Sequence, residues 1–206
     1  MNRSDIESAS RRIGAGNRAF LRETPLWRLP GSALGIGCAE VWLKLEHLQV
    51  GGSFKARGML NRLLANPMPA SGVIVASGGN AGIATAAAAR ALGVACEVFV
   101  PEVSPEAKRA RLRELGATVV VTGASYAEAF EACVARQRQT GALMTHAYDQ
   151  SEVVAGAGTL FIERERKRDS LRVLHQVAEA LQRGDTVAVF PEGTTGDGET
   201  LLPFHG

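Results

Sequence analysis

Cysteine is scarce in this chain. Three occur in 206 residues, at Cys38, Cys96 and Cys133, widely spaced and odd in number. They fit neither a disulfide framework nor a zinc site, so they read as reduced, mostly buried thiols and no metal centre is expected. A bias of charge is missing too. The formal net charge is +2, which gives no argument for nucleic acid as a partner. The longest basic cluster, Arg164 to Arg168, is interleaved with acidic residues and reads as a solvated face. Long apolar runs are absent. The most apolar stretch, Ile83 to Val100, is broken by Arg90 and Glu97, so no membrane span is expected. Met1 to Ser10 is polar, with no basic-then-apolar leader, and the expectation is a cytoplasmic protein. With 46% hydrophobic and 21% charged residues, the composition is that of a soluble globular chain of one or two domains.

What is there centres on Gly51-Gly52-Ser53-Phe54-Lys55-Ala56-Arg57-Gly58. A single lysine sits among small residues, after the apolar run Val41 to Leu45 and before the helical pattern Met59, Leu60, Leu63, Leu64. Backbone can hold such a corner while the amine stays free, as a Schiff-base lysine requires. Taken alone, it reads as well as a loop lysine on a solvated surface. Two neighbours change that: Lys44-Leu45-Glu46-His47-Leu48-Gln49 upstream, and Ser77-Gly78-Gly79-Asn80-Ala81-Gly82 downstream after Val73 to Ala76.

The order of elements is regular. The spacing predicts a helix over 57–66, a strand over 73–76, a helix over 81–92, a strand over 96–100, a helix capped by Ser104 with Pro105 first and ending at Gly116, a strand over 118–121, a helix opened by a Ser125–Glu128 capping box, and a strand over 143–145. Strands alternating with helices imply βαβ units and an α/β fold on a parallel sheet, and near-continuous apolar strands imply that both faces are covered. Ahead of this, residues 1–23 are helix-compatible, Thr24-Pro25-Leu26 is extended, and 41–45 reads as a strand.

K-x-E-x-x-Q, G-S-F-K-x-R-G and S-x-G-N, in that order, make residues 12–160 resemble the serine/threonine dehydratases, which are fold-type-II pyridoxal-phosphate (PLP) enzymes. The resemblance implies PLP as cofactor, held on Lys55, with Phe54 beside the ring and Asn80 on the pyridine 3′-oxygen. It implies that Ser77, Gly78, Gly79, Asn80 and Ala81 receive the carboxylate of a small amino acid, and that the reaction is β-elimination to a 2-oxo acid and ammonia. It also implies a smaller domain over about 57–150 and a possible homo-oligomer. The chain departs from the family's pattern at Gly51, where threonine is usual, and at Ala81, where histidine is common. No tetraglycine phosphate loop occurs in the sequence, and the serine that faces the pyridine nitrogen would lie beyond Gly206.

The tail reads differently. A charge-dense stretch is followed by a helical pattern over 170–183, a strand over 186–190 and Pro191-Glu192-Gly193-Thr194. Residues 158–206 are similar to the 1-acylglycerol-3-phosphate acyltransferases, which implies a phosphate-binding role for Arg164, Glu192, Gly193 and Thr194. That family's His-x-x-x-x-Asp box is missing: His146 and Asp149 have the wrong spacing, and His146 reads as a strand-end histidine. The expected organisation is therefore a partial dehydratase over 1–160 joined to an acyltransferase-like fragment over 161–206. The tail's helix, strand and loop also follow the dehydratase's own order. Even so, Glu192 and Asp197 would repel a phosphate dianion at a loop formed by Gly193, Gly196 and Gly198.

Overall fold

A computed structural model describes residues 3–15, 20–35, 39–146, 150–157 and 179. The chain divides into two units, Met1–Gly158 and Thr159–Gly206, and every described residue except Glu179 belongs to the first. The expected helix over 170–183, the strand over 186–190 and the sites at Arg164, Glu192, Gly193 and Thr194 lie outside the described residues, as does Asp149.

The first unit begins with α1 (Arg3–Gly14), followed by an antiparallel hairpin of β1 (Leu26–Pro30) and β2 (Glu40–Lys44). Next come α2 (Lys55–Ala65), β3 (Val73–Ala76), α3 (Asn80–Leu92), β4 (Cys96–Val100), α4 (Glu106–Glu114), β5 (Thr118–Val121), α5 (Tyr126–Thr140), β6 (Leu143–Thr145) and α6 (Ser151–Ala157). The last four strands form one parallel sheet in the order β5-β4-β3-β6. Alternate side chains of a strand face opposite ways. Val73, Val75, Val98 and Val100 pack with Leu60, Leu63, Ala86, Ala89 and Leu112 on one face. Ile74, Ala76 and Phe99 pack with Cys133 and Ala142 on the other. Helices thus cover both faces, as the apolar strands require.

The chain runs outward from β3 through β4 to β5, then returns to place β6 on the other side of β3. Strand order reverses beside β3. In open α/β sheets ligands lie beyond the carboxyl ends of the strands at such a reversal. The segment leaving β3 there is Ser77–Gly82, a short turn over 77–79 that runs into the first turn of α3.

Two local expectations are corrected. Ser104 does not cap α4. Pro105 occupies the cap position without a side-chain bond, and the Lys108 N–H donates to the Pro105 carbonyl at 3.0 Å. The helix expected over 57–66 begins two residues earlier, so that Lys55 is its first residue. The capping box of α5 does form: the Glu128 N–H donates to Ser125 Oγ at 3.3 Å, and the Glu128 carboxylate accepts from the Ala124 N–H at 2.8 Å. The β1–β2 hairpin exposes Leu26, Trp27 and Trp42, each more than half accessible.

Candidate functional site

Lys55 opens α2 and is only 7% exposed. The turn that delivers it is built by its neighbours. Gly51 and Gly52 adopt left-handed backbone, with φ of 73° and 74°. The Gly52 N–H donates to the Gln49 carbonyl at 2.8 Å. The Gln49 side chain is buried and acts as a strand partner. Its Oε1 accepts from the N–H groups of Arg22 and Val50 at 2.8 and 2.9 Å, and its Nε2 donates to the Arg22 carbonyl at 2.8 Å.

Glu46 ties the same turn from below. It accepts from Thr24 Oγ1 at 2.5 Å and from Arg57 at 3.0 and 3.1 Å. Lys44 donates to the Thr24 carbonyl, and its amine lies 4.0 Å from Glu46. Burial alone pushes the Glu46 carboxyl up. The hydrogen bonds from Arg57 and Thr24 and the charges of Arg57 and Lys44 outweigh it and hold the group below its ordinary value. So Thr24, the K-x-E-x-x-Q segment and Arg57 of the lysine motif form one clamp across the turn that leads into Lys55.

The Lys55 amine lies 5.1 Å from the centroid of the Phe54 ring. Burial pushes its pKa down from 10.5 to about 8. A cation at a helix N-terminus is also disfavoured by the helix dipole. Lys55 is therefore a lysine whose neutral amine is within reach near neutral pH.

The second loop meets the first. The Ser77 N–H donates to the Phe99 carbonyl at 3.1 Å and so extends the sheet ladder by one bond. Ser77 Oγ accepts from the Gly79 N–H at 3.3 Å. A Cβ at Gly82 would lie 1.9 Å from the Ser77 carbonyl oxygen, so only glycine lets the loop fold this tightly onto α3. Asn80 is the first residue of α3, half-buried, and the first-turn N–H groups of a helix have no acceptor within it. The lysine turn meets α3 through Gly51, whose Cβ position lies 3.1 Å from Ile83 Cγ2. Met59, one turn beyond Lys55, packs with Ala81, Ala84 and Val153. Phe54 and Lys55 at the start of α2, and Ser77, Gly78, Gly79, Asn80 and Ala81 at the start of α3, thus sit on two adjoining turns and the helices they open.

The segment Val153 to Gly156 supports them as α6. A Cβ at Gly58 would lie 2.6 Å from the Val153 carbonyl oxygen, and one at Gly156 2.8 Å from the Arg57 carbonyl oxygen. The backbones of α2 and α6 meet through this pair of glycines. Asn61, fully buried, donates to the Glu152 carbonyl at 2.7 Å and accepts from Arg12 at 2.6 Å, joining α1, α2 and α6.

Glu46, Gln49 and Ser53 stand within the sequence motifs, but what each does depends on partners that the sequence order does not reveal. Ser53 Oγ is buried and has no hydrogen-bond partner. His146 follows β6, edge-on to Phe130 at 5.6 Å between centroids, as expected of a strand-end histidine.

Comparison with known proteins shows similarity in sequence and in fold. The chain is 43% identical to the L-threonine ammonia-lyase of Geobacter sulfurreducens over 125 residues, 60% of this chain and 31% of that protein. It is 34% identical to the catabolic L-threonine dehydratase TdcB of Staphylococcus aureus over 161 residues, 77% of this chain and 45% of that protein. Among solved structures, a T.th. threonine deaminase superposes with a TM-score of 0.67 at 34% identity, covering 90% of this chain and 54% of that one. The chain thus spans about half the length, or less, of the relatives it matches. The family profile described as pyridoxal-phosphate dependent enzyme matches residues 18–191, which runs across the join expected between 1–160 and 161–206 and through the helix and strand expected beyond it. On this match, over most of its length, the chain belongs to the family of pyridoxal-phosphate dependent enzymes.

Proposed function

We propose that this chain carries the lysine side of a PLP site that removes the β-hydroxyl and amino groups of serine- or threonine-type amino acids, giving a 2-oxo acid and ammonia. The observation that carries the reading is Lys55. Its amine is buried, at about 8 instead of 10.5, in a turn that Gln49, Glu46 and Arg57 hold rigid.

The residues fit the cofactor on three counts. A buried amine of lowered pKa is the nucleophile that an aldehyde needs. A buried hydroxyl at Ser53 has its hydrogen-bonding capacity unspent two residues away. The Ser77–Gly82 loop packs so closely that a Cβ at Gly82 would strike its own backbone, leaving first-turn N–H groups rather than side chains to meet a ligand. Lys55 would hold the cofactor, with Phe54 packed beside its ring and Asn80 on its 3′-oxygen. Bound there, PLP supplies an electron sink for the pair left at the substrate's Cα.

The chain's residues do the rest. Ser77–Ala81 at the N-terminus of α3 orient the substrate carboxylate through backbone N–H groups and the helix dipole. Lys55, as a neutral amine, would take the α-proton, and its ammonium would return that proton to the β-hydroxyl as it leaves as water. The burial of Lys55 keeps bulk water from competing for that proton. Past residue 191 the likeness to acyltransferases is proposed as descent only. No acyl transfer is proposed, because the His-x-x-x-x-Asp box is missing.

The test is 2-oxo acid release from L-threonine and L-serine by the purified chain with PLP. Equal amounts of 2-oxo acid and ammonia, lost in Lys55→Ala, are expected. Release no greater than that of Lys55→Ala would sink the proposed activity.

A further inference from the structure

A serine at the entry to a helix ordinarily has a use for its hydroxyl: it caps the helix by accepting from a first-turn N–H. Ser125 does this for α5, accepting from the Glu128 N–H at 3.3 Å. Ser53 does not do it for α2. There the first turn closes on backbone, with the Arg57 N–H donating to the Phe54 carbonyl at 3.1 Å and the Ala56 N–H to the Ser53 carbonyl at 3.4 Å. Ser53 is extended, at φ −159° and ψ 160°, and only 7% exposed. Its Oγ is buried without a hydrogen-bond partner.

A buried hydroxyl left unpaired is a loss of stability that most folded chains avoid. Three other described side-chain atoms share this condition, and each has another context. Arg62 Nε and Arg109 Nε belong to guanidinium groups whose terminal nitrogens pair with Glu152 and Glu106. Ser71 Oγ lies in the turn that leads into β3, at the end of that strand away from Ser77. Ser53 alone stands beside the lysine. Around it the polar groups of Gln49, Glu46 and Arg57 are spent on one another and on Arg22 and Thr24. Nothing in the clamp asks for its hydrogen.

We propose that Ser53 donates its hydroxyl hydrogen to an anionic oxygen of the cofactor held on Lys55, so that the chain folds with this donor unspent until the cofactor arrives. The proposal rests on the reading of Lys55 given above. Two sources carry such an oxygen on PLP, the phosphate and the ring 3′-oxygen. Pyridoxal, which keeps the ring oxygen and lacks the phosphate, separates them.

The experiment compares the full chain with Ser53→Ala in two readouts: thermal unfolding without cofactor, and equilibrium titration with PLP and with pyridoxal. Ser53→Ala is expected to melt, cofactor-free, at the same temperature as the unsubstituted chain or higher, because it loses no bond. Its Kd for PLP is expected to rise about tenfold, the usual worth of a hydrogen bond to a charged group. A matching rise for pyridoxal assigns the bond to the ring oxygen, and an unchanged pyridoxal Kd assigns it to the phosphate. A cofactor-free melting point lowered by several degrees, or a PLP Kd within about twofold of the unsubstituted chain's, would overturn the proposal. Reduction with borohydride and peptide mapping of the unsubstituted chain separates the two readings. Absence of cofactor from Lys55 there removes the Lys55 reading itself, whereas its presence with an unmoved Ser53→Ala Kd removes the Ser53 proposal alone.

Discussion

Arg57 grips Glu46 with two nitrogens, Nε to Oε2 at 3.1 Å and a terminal nitrogen to Oε1 at 3.0 Å, across the turn that carries Lys55. Both side chains are mostly shielded from solvent, at 27% and 11% exposure. The pair therefore belongs with charge-assisted hydrogen bonds rather than with loose surface ion pairs.

Glu46→Gln keeps the shape and removes the charge. We expect it to destabilise the chain by about 1–2 kcal/mol at neutral pH in urea unfolding. The Glu46 carboxyl lies below its ordinary value of 4.5 in the folded chain, so its contribution is present above that pH and is lost as pH falls through the depressed folded value. The gap between Glu46→Gln and the unsubstituted chain should close over that acid range. A gap that stays constant would show that the charge is not what matters.

Lys55 has the opposite linkage. Its folded pKa of about 8 lies below the ordinary 10.5, so the folded chain is penalised for a charged lysine. The penalty is full below pH 8 and vanishes as pH rises to 10.5. Lys55→Met should therefore stabilise the cofactor-free chain at neutral pH by about 1–3 kcal/mol, an advantage that shrinks over that alkaline window. Equal stability of the two chains at neutral pH would mean that the amine is better solvated than its burial implies.

Gly51 stands where the dehydratase pattern usually has threonine. At φ 73°, with its Cβ position 3.1 Å from Ile83 Cγ2, the position suits glycine and strains a β-branched residue. Gly51→Thr should cost about 1–2 kcal/mol of stability and weaken PLP binding through the displaced turn. A neutral Gly51→Thr would mean that the turn relaxes freely to the form that suits threonine.

Cys96 and Cys133 are both buried, and both thiols are pushed up to about 12, first by burial and then by the charge of Glu97. Neither should react with iodoacetamide in the folded chain at mildly alkaline pH, while both should react in urea. Labelling of either in the folded chain would show that the packing around it, on opposite faces of the sheet for the two, opens easily.

Much of this was legible beforehand because local chemistry and tertiary context agree. The strands β4, β5 and β6 fall on the residues that apolar runs between glycine and proline signals mark out. The Ser125–Glu128 box caps α5 because both partners are local. The positions of Lys55 and Asn80 were readable as motifs, but not what brings the helices they open together. That depends on Gly51 against Ile83 and on the Met59, Ala81 and Val153 cluster, contacts between residues far apart in sequence. β1 was hidden because Leu26–Pro30 lacks alternation and ends in proline, and its pairing is set by β2. Ser104 misled because its spacing imitates a cap, while the backbone at Pro105 already meets the helix. Ser53 carried no signal at all, since an unspent hydroxyl is visible only once its neighbours are seen to be paired.

The central claim is that Lys55 is the cofactor lysine. The most direct measurement is PLP titration of the purified chain, followed by borohydride reduction and peptide mapping. The account predicts a visible absorption band and a pyridoxyl group confined to Lys55. No band, or label spread over exposed lysines such as Lys44 with Lys55 unmodified, would contradict it.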